Sequence, residues 1–528
     1  MCIMNNESGY QYDRCISRGI CSINPTTASL QEVIILYLKN IAFYGLKLEE
    51  AGINDEKIYN LVLNTISILS SSYEISVQNF KVINSAFQTE LPRIINIYEN
   101  LCSKNGVECE KPELCIILDK TADINDYIRL GEKEFNKRIH SSTLQVLNMY
   151  RIMFILVKSL TVNMLVYESY GHKLSDEFSF ILKILNLLNF SPKKQEELKR
   201  LILEAAKKDC ELMSAIRSIQ EERYGNQEQS EVSFSTKKGK AIMVVGSNIR
   251  ELENVLEEFK NTAIDVYTHD NMMLAHTFPK FKEYKNLKGQ YGKGMENCLL
   301  DFSTFPGPII LTKNSLYNVE NLYRGTLFTT DFAYSKGVIP IINNDFSKVI
   351  KSAENSRGFK SGKECIAEKT GFSYENLFKL LNKKLNKTFY KQVIIIGARG
   401  YSSEEKEYFK KLIKHVPKDI FVISMSCCDE NENILCLNTE YDNLAVLKIS
   451  DYVIGSFSLD VNVFFPYCDR HTLTMLLFLS SKNVKNIFVG TKNQTILKPN
   501  ILDGLKTDFN VLEITTPKKD LSLITENT

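Results

Sequence analysis

The hydrophobic period of this chain changes once, and that change limits its fold more than any other feature. From Thr26 to about Glu222 apolar residues recur at helical spacing, as in LQEVIILYLKNIAFYGLKL and FILKILNLLNFSPKKQEELKRLILEAA, with almost no strand signal. Such a segment folds as a helical bundle. Between Glu221 and Lys240 the stretch RYGNQEQSEVSFSTKKG is polar, aperiodic and broken by glycine, which marks a boundary. Beyond it short β-branched runs alternate with helical segments: AIMVV, IRELENVLEEF, AIDVYT, GPIILT and GVIPII. A second cycle starts near Lys391 with QVIIIG, a helix over 404–415, then DIFVIS, YVIGS and NIFVG. Strands alternating with helices of this length imply parallel sheets joined by crossover helices. The expected fold class is multidomain α and α/β, an N-terminal helical bundle followed by two doubly wound, Rossmann-like α/β domains. The expected boundaries are 1–25 for a cysteine-containing segment, 26–225 for the bundle, and 240–385 and 386–528 for the α/β domains.

Charge removes two classes of partner. With 65 basic and 63 acidic side chains the formal charge is +2, so no net field draws the chain to nucleic acid or an anionic membrane. The apolar stretch Ile152–Tyr167 is interrupted by Lys158 and Asn163, is too short for a bilayer span, and reads as a core helix. The start, MCIMNNESGYQYDRC, has no continuous apolar run, and thirteen cysteines in such a chain favour a reducing, cytoplasmic setting with free or metal-bound thiols. Each α/β half opens with a strand, a glycine and a helix cap: Asn248 with Glu251, and Ser402 with Glu405. No G-x-G-x-x-G follows a strand, so these are read as plain strand-to-helix turns and not as dinucleotide sites.

Three cysteines, Cys2, Cys15 and Cys21, lie close together ahead of the first helix. Soft thiolates at that density can ligate iron or zinc, although the spacing alone suits free thiols equally well. A further group, Cys102, Cys109 and Cys115, matches no metal-binding spacing and reads as free thiols. His140, His172 and His415 have no acidic or thiol neighbour in sequence and read as structural.

The opening C-x12-C-x5-C followed by SINPTTASLQEVIILYLKNIA resembles that of the hybrid-cluster (prismane, hydroxylamine reductase) family. The likeness continues in order through VVGSNIRELENVLEEF, AIDVYTHDNMMLAHTFPKFKEYKNLKGQYG, GPIILTKNSL and NVKNIFVG. It implies a prismane-like fold, with Cys2, Cys15 and Cys21 holding an N-terminal 4Fe–4S cluster whose fourth cysteine position is Asn5. It also implies a hybrid 4Fe–2S–2O cluster held by one histidine, two glutamates and four cysteines. Here those positions fall on Ser247 for the histidine, Asn271 and Asp469 for the glutamates, and Ser315, Ala398, Cys427 and Asn438 for the cysteines. His269 and His276 flank Asn271, Cys428 follows Cys427, Cys436 lies near Asn438, and Cys468 and His471 flank Asp469. Only Cys427 and Asp469 keep a donor of the right kind, so the hybrid cluster is not expected to assemble.

The resemblance therefore implies a degenerate hydroxylamine reductase homologue. It would carry at most the N-terminal cluster and have a redox, binding or structural role, with a redox protein as its partner. Two rivals stand beside it: a hydroxylamine or nitric oxide reductase with an altered cluster, and an electron carrier using Cys2, Cys15 and Cys21 alone.

Overall fold

The computed structural model describes residues 25–71, 77–112, 122–141, 143–188, 195–292, 298–313, 325–331, 334, 337–387, 389–398, 403–426, 431–439, 442–490, 497 and 499–526. These form two compact units divided after Asp209, with the residues just before and including Gly504 joining the first.

The first unit is helical. Its elements are α1 (Pro25–Glu50), α2 (Glu56–Ser71), α3 (Val77–Asn105), α4 (Ile124–Ser141), α5 (Leu144–Ser169), α6 (Ser175–Leu187) and the start of α7 (Gln195–Tyr224). Helix α5 is, among the described residues, the one helix long and apolar enough to cross a membrane, and 89% of its most apolar stretch is buried. Its two interruptions are satisfied inside the core. Lys158 Nζ donates to the Leu69 carbonyl at 2.5 Å and sits 5.2 Å from the centre of the Phe154 ring, while Asn163 Nδ2 donates to Asp209 Oδ1 at 2.7 Å. A buried amine without those acceptors would cost several kcal/mol, so the pairing is what lets a polar residue sit in this helix.

Two cysteines at the end of α3 and just beyond it depart from expectation. Cys102 and Cys109 are joined in a disulfide instead of standing free, because the left-handed turn at Gly106 folds the chain back and brings their Cα atoms to 5.6 Å. This pair therefore gives no support to a reducing compartment, which free thiols would have done. Cys115 lies outside the described residues.

The second unit holds two six-stranded sheets. The first has strand order β4-β3-β2-β5-β6-β7, from β2 (Lys240–Val245), β3 (Ile264–His269), β4 (Leu287–Gln290), β5 (Ile309–Leu311), β6 (Leu327–Thr329) and β7 (Ile339–Pro340). The second has order β11-β10-β9-β12-β13-β14, from β9 (Gln392–Ile396), β10 (Ile420–Ser424), β11 (Ile434–Cys436), β12 (Asp460–Phe465), β13 (Val484–Val489) and β14 (Val511–Glu513). All pairings within each are parallel. The helices that follow α7 are α8 (Ile249–Phe259), α9 (Cys298–Thr304), α10 (Ser347–Asn355), α11 (Tyr374–Leu385), α12 (Ser403–His415), α13 (Leu444–Phe457), α14 (Arg470–Ser480), α15 (Pro499–Phe509) and α16 (Pro517–Thr525). Each sheet grows outwards in both directions from its first strand, the doubly wound topology whose sites lie at the carboxyl ends of the strands.

Two local readings are corrected. The run YVIGS is not a strand: it is the end of α13, because LAVLKISDYVIGSF keeps a helical period over fourteen residues. The polar boundary stretch contains a short strand, β1 (Ser230–Val232), paired antiparallel with β8 (Glu368–Thr370). At the end of α7, Arg223 and Tyr224 donate to Glu253 of α8, which also accepts from Arg250 and Lys280. Burial alone would raise the Glu253 carboxyl, but these donors win and hold it at about 2.

Candidate functional site

In the first sheet β2 ends at Val245, and Gly246, at φ 126°, turns the chain into α8. Asn248 caps α8 by accepting from the Glu251 N–H at 3.2 Å, half of the expected box. The Glu251 carboxylate turns away from the cap and accepts from the Lys313 N–H at 3.0 Å and the Thr330 hydroxyl at 2.6 Å, tying the loops after β5 and β6 to the helix. Burial raises its pKa. Ser247, the histidine position of the resembled family, is exposed.

At the end of β3 a polar chain sets the loop. Since Thr268 donates to Gln290 Oε1 at 2.6 Å, His276 Nε2, at 2.8 Å, must donate to the Thr268 hydroxyl. Gln290 Nε2 then donates to the carbonyl of Asp270, which is held in the left-handed region at φ 60°. His269 is fully buried, with Nε2 on Asp301 Oδ2 at 3.1 Å. Its Nδ1 and the Asn271 Oδ1 are buried without a hydrogen-bond partner. At Asn271, where the resemblance implies a glutamate, the side chain is a neutral amide with no charge to offer a metal.

Burial of the His276 ring lowers its pKa from 6.5 to about 4. Its folded value lies below its unfolded one, so its contribution to stability is complete above pH 6.5 and is lost as pH falls from there to about 4. Chemical unfolding at pH 7 and pH 4 should show a loss on the order of 2 to 3 kcal/mol that a His276→Gln variant lacks. Equal slopes for the two proteins would refute this.

In the second sheet Ala398 follows β9, is 1% exposed and has no donor atom in its side chain. Its backbone is clamped by Asn443: the Ala398 N–H donates to Asn443 Oδ1 at 2.6 Å, and Asn443 Nδ2 donates to the Ala398 carbonyl at 3.2 Å and to Thr472 Oγ1 at 3.4 Å. Thr472 in turn donates its N–H to Asp469 Oδ1 at 2.8 Å, because Asp469 caps α14. The Asp469 carboxylate, at a position the resemblance assigns to a glutamate ligand, is therefore engaged by a helix terminus. Cys468 is buried, and its thiol is pushed well above the usual range by burial and then by Asp469, so it is no thiolate at neutral pH. Asn438 takes a left-handed φ of 50° and its carbonyl accepts from the Gly371 N–H. Cys436, which its sequence position makes a candidate substitute ligand, is disulfide-bonded and so has no thiolate to give.

The structure brings Ala398 and Asp469 into one hydrogen-bonded network, while Ser247 and Asn271 lie at strand ends of the other sheet. Cys2, Cys15, Cys21, Ser315, Cys427 and Cys428 lie outside the described residues. Among the described residues no group of three or more histidine, cysteine, aspartate or glutamate side chains is placed to hold a metal ion. An amide, a serine, an alanine and a capping aspartate do not fit a thiolate-rich iron centre. Asn443 was missed in the sequence, although an asparagine just before LAVLKIS is a recognisable helix-start signal.

Fold and site define an α/β protein with two doubly wound parallel sheets and polar networks at the carboxyl ends of their strands. Residues 11–445 match the Prismane/CO dehydrogenase family, and the chain belongs to that family. It is 26% identical to the hydroxylamine reductase of Methanococcus vannielii and 23% identical to that of Thermodesulfovibrio yellowstonii, covering 97% and 96% of this chain and 97% of each relative. The hydroxylamine reductase of Thermosipho melanesiensis is 26% identical, over 97% of both chains. A solved α subunit of acetyl-CoA synthase/carbon monoxide dehydrogenase, described with NiZn[Fe4S4] and NiNi[Fe4S4] clusters, aligns at TM-score 0.47 and 11% identity over 96% of this chain and 83% of its own.

Proposed function

We propose that this chain is a hybrid-cluster-family protein that has kept the scaffold and lost the hybrid-cluster chemistry. It holds at most one 4Fe–4S cluster, on Cys2, Cys15 and Cys21, and serves a redox, binding or structural role in the cytoplasm. The observation that carries this reading is the second-sheet network. A cysteine position is filled by Ala398, whose loop is clamped by Asn443, and the adjoining carboxylate of Asp469 is committed to capping α14. Rebuilding a cluster there would mean breaking a cap worth about 1 kcal/mol and still lacking the thiolates.

The end-to-end alignment with proteins named hydroxylamine reductase favours a second reading, an oxidoreductase acting on hydroxylamine or nitric oxide through an altered cluster. Anaerobic assay of hydroxylamine-dependent oxidation of a reduced dye separates the two. The expected result is no turnover above the rate of a Cys427→Ala variant. Turnover that falls when Cys427 or Asp469 is replaced would establish the second reading.

A further inference from the structure

Two segments far apart in sequence form a basic ribbon that leads into β2, the strand from which the first α/β sheet grows. Thr236 pairs with Lys363 and Gly239 with Phe359, in antiparallel bridges closed by backbone hydrogen bonds in both directions. The pairing brings together Lys237, Lys238, Arg357, Lys360 and Lys363, all exposed. The ribbon strands carry one carboxylate among these cations, Glu364, and none of the five forms an ion pair among the described residues. The chain's net charge is only +2, so this is a local concentration of charge and not a reflection of composition.

The ribbon is fixed from beneath. Phe359 packs its ring 5.6 Å from Tyr267 and 5.7 Å from Phe305, the Gly358 N–H donates to the Pro306 carbonyl, and Lys240 Nζ donates to the Ser356 carbonyl. Like charges gathered on a short, rigid ribbon repel one another, and nothing in the packing beneath requires them. Beside them Ile366 is 90% exposed.

We infer that this ribbon, with Ile366, is a docking surface for an acidic protein. Exposed cations next to an exposed apolar side chain suit a protein interface, where charge steers approach and the apolar contact slows release. Phosphate-dominated binding to a nucleic acid gives no role to an isoleucine standing in water. An acidic partner brings carboxylates to Lys237, Lys238, Lys360 and Lys363 and an apolar side chain to Ile366.

The test uses the full chain and fluorescence anisotropy with four probes: a glutamate homopolymer, an equally charged peptide with leucines among its glutamates, a mixed-sequence DNA duplex, and vesicles of phosphatidylserine and phosphatidylcholine. The leucine-containing peptide is expected to bind best and to weaken as salt rises from about 50 to about 200 mM. A Lys238→Glu/Lys360→Glu/Lys363→Glu variant should bind both peptides at least about tenfold more weakly. Ile366→Ser should abolish the preference for leucine and leave homopolymer binding unchanged. Unaltered thermal unfolding of these surface variants establishes that they fold. Failure of either peptide to bind, equal binding by the charge-reversed variant, or tighter binding to the duplex or the vesicles would overturn the inference.

Discussion

Replacing Arg217 with alanine is expected to cost about 3–5 kcal/mol, a large fraction of the stability of an ordinary domain. Its guanidinium is buried and meets Asp442 through two nitrogens, at 2.8 and 3.2 Å, while Nη1 also donates to Gln227 Oε1 at 2.5 Å. Burial pulls the guanidinium pKa down, and the Asp442 carboxylate more than offsets this, so the ion stays charged. Gln227 continues the chain by donating to Thr277 Oγ1, so α7, the β1 segment and the loops of both sheets share one buried polar network. Removing either partner strands the other charge away from water. Asp442→Asn should therefore cost a similar amount, and Arg217→Met/Asp442→Leu should cost less than either single change, because it leaves no buried charge. Thermal and urea unfolding of the three variants measure this. Single variants within about 1 kcal/mol of wild type would mean the pair is not buried as described. Asp442 adjoins Asn443, so loss of the pair should also loosen the clamp on Ala398.

The second large effect is steric. A Cβ on Gly131 would lie 2.0 Å from the Ser29 carbonyl oxygen, 2.6 Å from its carbon and 2.9 Å from its Cα. These are backbone atoms of α1 that cannot swing aside, so the extra methyl must push α1 and α4 apart. Gly131→Ala is expected to cost about 3 kcal/mol through overpacking. Gly455, in α13, faces open space, and a Cβ there would meet nothing within 4 Å. Gly455→Ala should accordingly stabilise the chain by about 0.5–1 kcal/mol, since alanine is the better helix former. Differential scanning calorimetry of both variants checks the pair of expectations, and equal effects would contradict the close approach of the two helices.

Much of this architecture was legible from period alone. The long helices and the strand–helix alternation follow from spacing, and Asn248 was readable as a cap because the cap sits directly before its helix. YVIGS was misread because a short apolar run looks the same in a buried strand and a buried helix, and only the longer LAVLKIS pattern settles it. Strand β12, DVNVFF, passed unnoticed beside that error. In the site, the resemblance names positions one by one, but not the hydrogen-bond partners that the residues there take. The Asn443 clamp on Ala398 spans 45 residues and the Arg217–Asp442 pair spans 225, and neither leaves a local signature. The Cys102–Cys109 disulfide was hidden for a similar reason: it depends on how far the chain turns back after α3.

Counting iron and acid-labile sulfide in protein purified without oxygen decides whether the family scaffold stands here without the hybrid cluster. At most about three to four irons per chain are expected, all lost when Cys15 and Cys21 are changed to serine, since one small cluster is the most that the remaining thiolates hold. About seven to eight irons per chain, or iron that survives the loss of Cys15 and Cys21 and disappears with Cys427, would contradict it.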